Sequence, residues 1–404
     1  MVIQLFPGVR APKKQKSEDF NLNKKSITTI SILLSMGLSI TACSSTSTSN
    51  ATPETATAET ASVDVDWSKG ISSDGRFENV VAKDYIDMPD DYIHYGINLD
   101  SISPSNEEIT QQVNDFASYY GLTKEVTDRA AQSGDIANIA YVGTVDGVAF
   151  TGGTTDSYDL ELGSGTFIDG FEDQIIGHKT GDEFEITVTF PSGYGTTTDL
   201  DTGKKTIELA NKEAKFHITV NSISTYDVSD ADVESAFSNS TLTDGTPVTT
   251  VELLRTYIKE KLVESNLQSS VQQYLIENVV VKKDSSKLID TQLENRRNSL
   301  KQSAAELGQD VNEYIAYYSS YSTLDDYIES QRADVEDDLI LYLSAQYMAD
   351  EENYTPTEND IKAYVGTNYD SVVEELGYNY LAQKCLDDHV MNGYYNTVYN
   401  NSIS

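Results

Sequence analysis

Along residues 134–226 apolar and polar side chains alternate with a period of two. In "EFEITVTF" Phe184, Ile186, Val188 and Phe190 share one face. In "AKFHITVNSI" Ala214, Phe216, Ile218 and Val220 do the same, with Lys215, His217 and Thr219 opposite, and Ala137, Ile139 and Tyr141 continue the rule. Three or more half-buried strands joined by turn signals such as Asp146-Gly147 predict an antiparallel sheet with one apolar face. That face needs a cover. The stretch "GFEDQIIGH", residues 170–178, predicts one short helix with Phe171, Ile175 and Ile176 on its inner side.

On either side of this stretch the period lengthens to that of a helix. Ser105 and Glu108 form a capping box for a helix to about Tyr120, with Ile109, Val113 and Phe116 on one face. Residues 250–404 read as helical: Val251, Leu254, Ile258, Leu262, Leu267, Val271 and Leu275 follow helical spacing, as do Val335, Leu339 and Leu343. Thr355 is expected to cap a further helix, with Pro356 at its first position and Glu358 three residues on.

The beginning of the chain has a different character. Residues 1–42 carry six basic and two acidic side chains, and an apolar stretch runs from Ile27 to Cys43. A basic region, a short apolar core and small residues before a cleavage point describe a secretory signal, and the core is short for a membrane span. The long stretch ahead of that core points to a start codon downstream of Met1. Ile40-Thr41-Ala42-Cys43 resembles the bacterial lipobox, which implies a diacylglycerol thioether on Cys43; two acyl chains hold a protein to a bilayer where one does not. Residues 43–66, rich in Ser and Thr, have too little apolar surface to offset their ordering entropy and are expected to be a flexible tether. Cys385, the second of two cysteines, is expected to be a buried small hydrophobe.

Charge narrows the function. The chain of 404 residues has 65 acidic and 28 basic side chains, a net charge of −37. Such a balance repels phosphate backbones and argues against nucleic-acid partners. Two cysteines exclude a disulfide scaffold and a four-cysteine zinc site. His178 and His217 lie far in sequence from any second ligand-type residue and are expected to be non-catalytic. The acidic string Asp227, Asp230, Asp232 and Glu234 reads as a solvated face.

The strings "IAYVGTVDGVAF", "YDLELGSGTFIDGFEDQIIGHKTGDEFEITVTFP" and "ANKEAKFHITV" together resemble the FK506-binding (FKBP) type of peptidyl-prolyl isomerase domain, in the version found in trigger factor. The helical region after it resembles the arm domain of trigger factor. The fold class implied is a multidomain α+β protein: an FKBP-like antiparallel half-barrel with one short helix, flanked by an all-α arm domain. Expected boundaries are a lipoprotein signal peptide at 1–42, the tether at 43–66, an N-terminal arm segment at 67–132, the isomerase domain at 133–226 and the helical chaperone domain at 227–404.

Carried over by motif, the resemblance implies catalytic roles for Tyr141, Phe150, Phe167, Ile168, Phe171 and Phe216, and substrate contacts for Tyr158, Phe190 and Tyr194. Ile168 would offer its backbone amide to the substrate carbonyl, and Phe171 the pocket floor. Such a site needs no metal or cofactor: a dry apolar pocket favours the twisted, less polar amide and so lowers the isomerisation barrier. Thr151 stands where drug-binding relatives have aspartate, and the loop 193–208 matches neither subfamily cleanly. The ribosome-docking module of trigger factor, with its Gly-Phe-Arg loop, has no counterpart before Ser105; the nearest string is Gly75-Arg76-Phe77. The expected protein is a lipid-anchored extracytoplasmic foldase, with unfolded proline-containing chains and the membrane as partners and no ribosome. A non-catalytic chaperone or peptide-binding lipoprotein is the alternative, and a surface adhesin or solute-binding lipoprotein a third.

Overall fold

The computed structural model describes residues 66–403 apart from 202 and 204. The leader expected at 1–42, the tether as far as residue 65 and Cys43 lie outside the described residues. In chain order the elements are α1 (Ala82–Tyr85), β1 (Ile86–Asp87), α2 (Asn106–Tyr120), β2 (Thr123–Glu125), β3 (Ile136–Val145), β4 (Val148–Glu161), β5 (Glu183–Thr189), β6 (Thr196–Thr198), β7 (Thr206–Glu208) and β8 (Glu213–Tyr226). Helices then dominate: α3 (Asp230–Ala236), α4 (Val251–Asn278), the short β9 (Val280–Val281), α5 (Ser286–Glu306), α6 (Val311–Tyr318), α7 (Leu324–Ser330), α8 (Arg332–Glu352), α9 (Glu358–Val365), α10 (Tyr369–Leu376) and α11 (Tyr378–Ile403).

Two compact units divide the described chain. One holds residues 104–260; the other holds 66–103 and 261–403. Residues 67–103 fall in the second unit, and residues 104–132 fall in the first together with the 133–226 stretch.

In the first unit the alternation became an antiparallel five-stranded sheet of order β2-β8-β3-β4, with β5 on the remaining part of β8. Ile136–Val145 pairs with β8 so that Tyr141 faces Ile218 and Gly143 faces Phe216. The β3–β4 turn is Asp146-Gly147, both at positive φ (50° and 79°), the mirror-image turn that matches strand twist. Opposite Gly143 four residues of β4, Phe150 to Gly153, bulge out of register, since Val142 pairs with Thr154 but Thr144 with Ala149. The loop 193–208 is a second, two-stranded sheet of β6 and β7, joined to β4 through the Phe150–Asp199 bridge and Leu200 N–H donating to the Ala149 carbonyl.

Residues 170–178 are a run of turns, not the expected helix. Gly170 and Gly177, at φ 80° and 95°, bracket a segment too short to propagate, and its bonds mostly close over three residues, as from Phe171 N to Ile168 O and Ile175 N to Glu172 O. Phe171 and Ile175 are fully buried beneath the sheet as expected, with Ile176 packed half-buried beside them. Helix α2 begins at the Ser105–Glu108 capping box, where Glu108 N–H donates to Ser105 Oγ at 3.1 Å and Ser105 N–H to Glu108 Oε2 at 2.7 Å. Its Val113 packs with Val233, Leu242, Val248, Leu254 and Tyr257 in a small satellite core.

The second unit is built around α8 and α11, which bury Leu339, Leu343, Leu386, Val390 and Val398. The cap expected at Thr355 lies two residues on, at Thr357: its Oγ accepts from Asp360 N–H and its N–H donates to Asp360 Oδ2. Both Thr-x-x-acid strings satisfy the sequence rule, and placing Pro356 before the cap leaves the helix free of it. Gly75-Arg76-Phe77 is built into this unit: Phe77 is buried, and Arg76 donates to Asp350 Oδ1 and the Tyr354 carbonyl, both at 2.9 Å. Cys385 is buried, as expected, with its Sγ 3.9 Å from the Tyr354 hydroxyl. Among the described residues no helix is long and apolar enough to cross a membrane.

Candidate active site

The sheet and the turns packed on its apolar face bring together the aromatic residues to which the resemblance assigns site roles, while Phe184 stands apart, stacked on His178. Tyr141, on β3, points from the apolar face into the angle between Phe167, Phe171 and Phe216, with ring centroids 5.9, 6.0 and 5.9 Å away in edge-to-face contacts. Phe171 and Phe216 meet edge-on at 5.2 Å, and Phe167 lies over Phe171 at 4.5 Å. Phe150 continues the cluster to Phe216 and to Phe190, at 6.1 and 5.9 Å. Tyr158 touches Phe167 at 5.3 Å and Tyr194 touches Phe190 at 4.8 Å; both are half-buried and form the rim. Edge-to-face pairs put positive ring edges on negative faces, each worth about 0.5–1.5 kcal/mol beyond area burial.

Small residues make room for these rings. A Cβ on Gly143 would stand 2.4 Å from Phe216 Cε1, and one on Gly153 would stand 2.4 Å from Phe150 Cε2. Phe216 thus lies over a strand position that carries no side chain, and the bulge before Gly153 turns Phe150 inward. The cluster is closed in this structure: Phe150, Phe171 and Phe216 have no exposed surface, and Phe167 and Ile168 are 5% and 7% exposed. Burial pushes the Tyr141 phenol up to about 12, helped by the neighbouring Tyr158, so it stays neutral across physiological pH.

One main-chain donor beside the rings is unspent. Among the described residues the Ile168 N–H donates to no protein acceptor, whereas its carbonyl accepts from Phe171 N–H. The segment before it is held by a residue the sequence reading passed over. Glu172, 6% exposed, accepts from Gly163 N–H at 2.8 Å, Gly165 N–H at 3.1 Å and Phe167 N–H at 3.0 Å, and from Ser164 Oγ at 3.3 Å. A signal was present: an acid between inward-facing Phe171 and Ile175, close to a glycine-rich loop whose amides need acceptors.

Thr151 is tied to the β6–β7 hairpin, with its Oγ1 3.0 Å from Thr198 Oγ1 and its carbonyl accepting from Thr197 Oγ1 at 2.8 Å. No carboxylate occupies that position. His178 stacks on Phe184 with centroids 3.5 Å apart, and His217 is exposed on the outer sheet face near Glu183; neither joins the cluster. Among the described residues no group of His, Cys, Asp and Glu could hold a metal ion.

Residues 127–228 match the family profile described as FKBP-type peptidyl-prolyl cis-trans isomerase, and residues 250–376 that of the bacterial trigger factor protein C-terminus. A trigger factor of Agathobacter rectalis is 31% identical over 302 residues, covering 70% of this chain and 63% of the relative. One of Brevibacillus brevis is 34% identical over 281 residues, covering 68% and 61%. The chain spans less than two thirds of the length of these curated relatives. Residues 127–228 are thus similar to the FKBP-type isomerase family and residues 250–376 to the trigger factor C-terminus, and the structure has the corresponding β-sheet domain followed by a helical C-terminal arm.

Proposed function

We propose that this protein is a foldase that catalyses cis-trans isomerisation of X-Pro peptide bonds in exported proteins and holds their unfolded chains. The carrying observation is the aromatic cluster of Tyr141, Phe167, Phe171 and Phe216 next to the unpaired Ile168 N–H. A prolyl residue entering between Tyr158, Tyr194 and Phe167 would leave water for an apolar surround. Twisting the C–N bond removes the amide's charge separation, so this surround favours the twisted state over the planar ground state. The Ile168 N–H would anchor the preceding carbonyl while the proline rotates. Exposed Tyr317 and Tyr318 in the helical arm offer amphipathic rings to unfolded chains.

A second reading is a non-catalytic chaperone that keeps the isomerase domain as a scaffold. The closed packing of Phe167 on Phe171 favours it, because a peptide must displace Phe167 to reach the floor. Proline-limited refolding separates the two. Wild type is expected to speed the slow phase; Tyr141→Ala or Phe216→Ala should lower that rate and leave suppression of aggregation largely intact. No acceleration at micromolar protein contradicts catalysis.

The extracytoplasmic, lipid-anchored placement rests on the basic leader, its apolar core and the Ile40-Thr41-Ala42-Cys43 string. Removing residues 1–42 leaves 63 acidic and 22 basic side chains, a balance unsuited to docking on ribosomal RNA. Cys43→Ser should move the protein from the membrane fraction to the soluble fraction of its bacterial host; retention in the membrane contradicts the anchor.

A further inference from the structure

We infer that Glu172 is a positioning residue for prolyl isomerisation: its buried carboxylate sets the 163–167 loop so that the Ile168 amide and the Phe167 ring stand ready for substrate. The inference rests on the isomerase reading. Four donors within five residues converge on one carboxylate, three of them main-chain N–H groups at 2.8–3.1 Å. Two of these belong to Gly163 and Gly165, at φ 95° and 69°, a backbone path with no regular ladder to hold it. Without an acceptor at their centre, these amides would be turned inward and unpaired, which the chain avoids at a cost far above that of a solvated bond.

The consequence reaches the site through covalent geometry. Phe167 N–H donates to Glu172 Oε1 at 3.0 Å, and the next amide in the chain is the unpaired Ile168 N–H. Fixing the first peptide plane leaves only φ and ψ of Phe167 to set the second, and the packing of the Phe167 ring on Phe171, Tyr141 and Tyr158 restricts both. The same bond sets the Cα from which the Phe167 ring reaches Phe171, Tyr141 and Tyr158. Glu172 touches no expected substrate atom, and its return from the turn at 171–177 closes the loop from behind.

Glu172→Gln keeps the shape but replaces one accepting oxygen with an NH2 that faces donors. The test measures three quantities on the full chain: kcat/KM for a prolyl tetrapeptide, melting temperature, and 1H-15N spectra with amide exchange. The expected result is a loss of about tenfold or more in kcat/KM, and at least tenfold faster exchange of the Gly165 and Phe167 amides. The downfield movement of the Ile168 amide proton on saturation with the peptide should also vanish, while β3 and β8 amides stay protected. Activity within twofold of wild type, or an Ile168 amide that still responds to peptide, overturns the inference. Should Glu172→Gln fail to fold, Ser164→Ala, which removes only the hydroxyl donor, is read the same way with a smaller expected loss of two- to fivefold; no loss overturns it. An inactive wild type instead overturns the isomerase reading itself.

Discussion

Gly143→Ala tests whether the aromatic cluster depends on the bare strand position beneath Phe216. The added methyl would lie 2.4 Å from Phe216 Cε1, 2.8 Å from Cδ1 and 2.9 Å from Cζ. Carbon atoms prefer roughly 3.5–4.0 Å, so the ring must move by about 1 Å or the strands must part. Phe216 has no exposed surface and meets Phe171, Tyr141 and Phe150, leaving no free direction. Overpacking of this kind costs about 1–3 kcal/mol, and loss of glycine's chain entropy in a strand returns about 0.5–1. The net is destabilisation of about 1–2 kcal/mol, a fall of about 2–8 °C in the melting of the sheet-bearing unit. Activity should suffer more than stability, since displacing site groups by about 1 Å can cost about a hundredfold. Proline-limited refolding should therefore show kcat/KM down ten- to a hundredfold by a protein still folded at the assay temperature. A drop in melting temperature with unchanged kcat/KM would show that Phe216 is only core, and no change in either would refute the steric argument.

Two further substitutions probe buried charge. Arg129 donates in bidentate fashion to Asp135, whose side chain is 2–3% exposed, and burial, which alone would raise that carboxyl, is outweighed by the Arg129 bonds that hold it below the usual range. Arg129→Ala should lower the urea midpoint at pH 7, because it removes the bidentate partner of a buried carboxylate that keeps the Gln132 N–H bond; an unchanged midpoint contradicts this. In the helical unit burial pushes the Asp387 carboxyl up to about 7 against the opposing Lys384 charge, and neither carboxylate oxygen finds a hydrogen-bond partner among the described residues. An acid raised on folding stabilises the native state fully below its unfolded pKa, and that contribution is lost as pH rises toward 7. Stability should thus fall from pH 4 to 7 by at least of order 1 kcal/mol through this group, and Asp387→Asn should flatten that slope; an unchanged slope contradicts the assignment.

Local chemistry explains what was legible in the sequence. Period-two alternation identified strand faces at Ala214–Val220 and Phe184–Val188 because each strand has one wet face, and the Ser105 cap was readable because both its partners lie three residues apart. The site aromatics could be named because the motifs that carry them resemble the FKBP family, although only Tyr141, Phe150, Tyr158 and Phe216 among them stand on strands. Long-range terms hid the rest. Residues 170–178 had helical spacing, but two glycines at positive φ outweighed it. The loop 193–208 pairs with itself and with β4 through contacts over forty residues away, such as Thr197 to Thr151. Glu172 was not singled out because three of its four donors are main-chain amides, which have no letter in the sequence.

The central claim is catalysis in the aromatic cluster, and exchange spectroscopy of a short proline peptide tests it without any folding reaction. With a small fraction of the purified protein present, cis and trans resonances of the peptide should show exchange cross-peaks at a rate that grows linearly with protein and is lost in Phe216→Ala. Peptide lines that broaden through binding while cis and trans fail to exchange would contradict the account and leave a chaperone that binds proline segments without turning them.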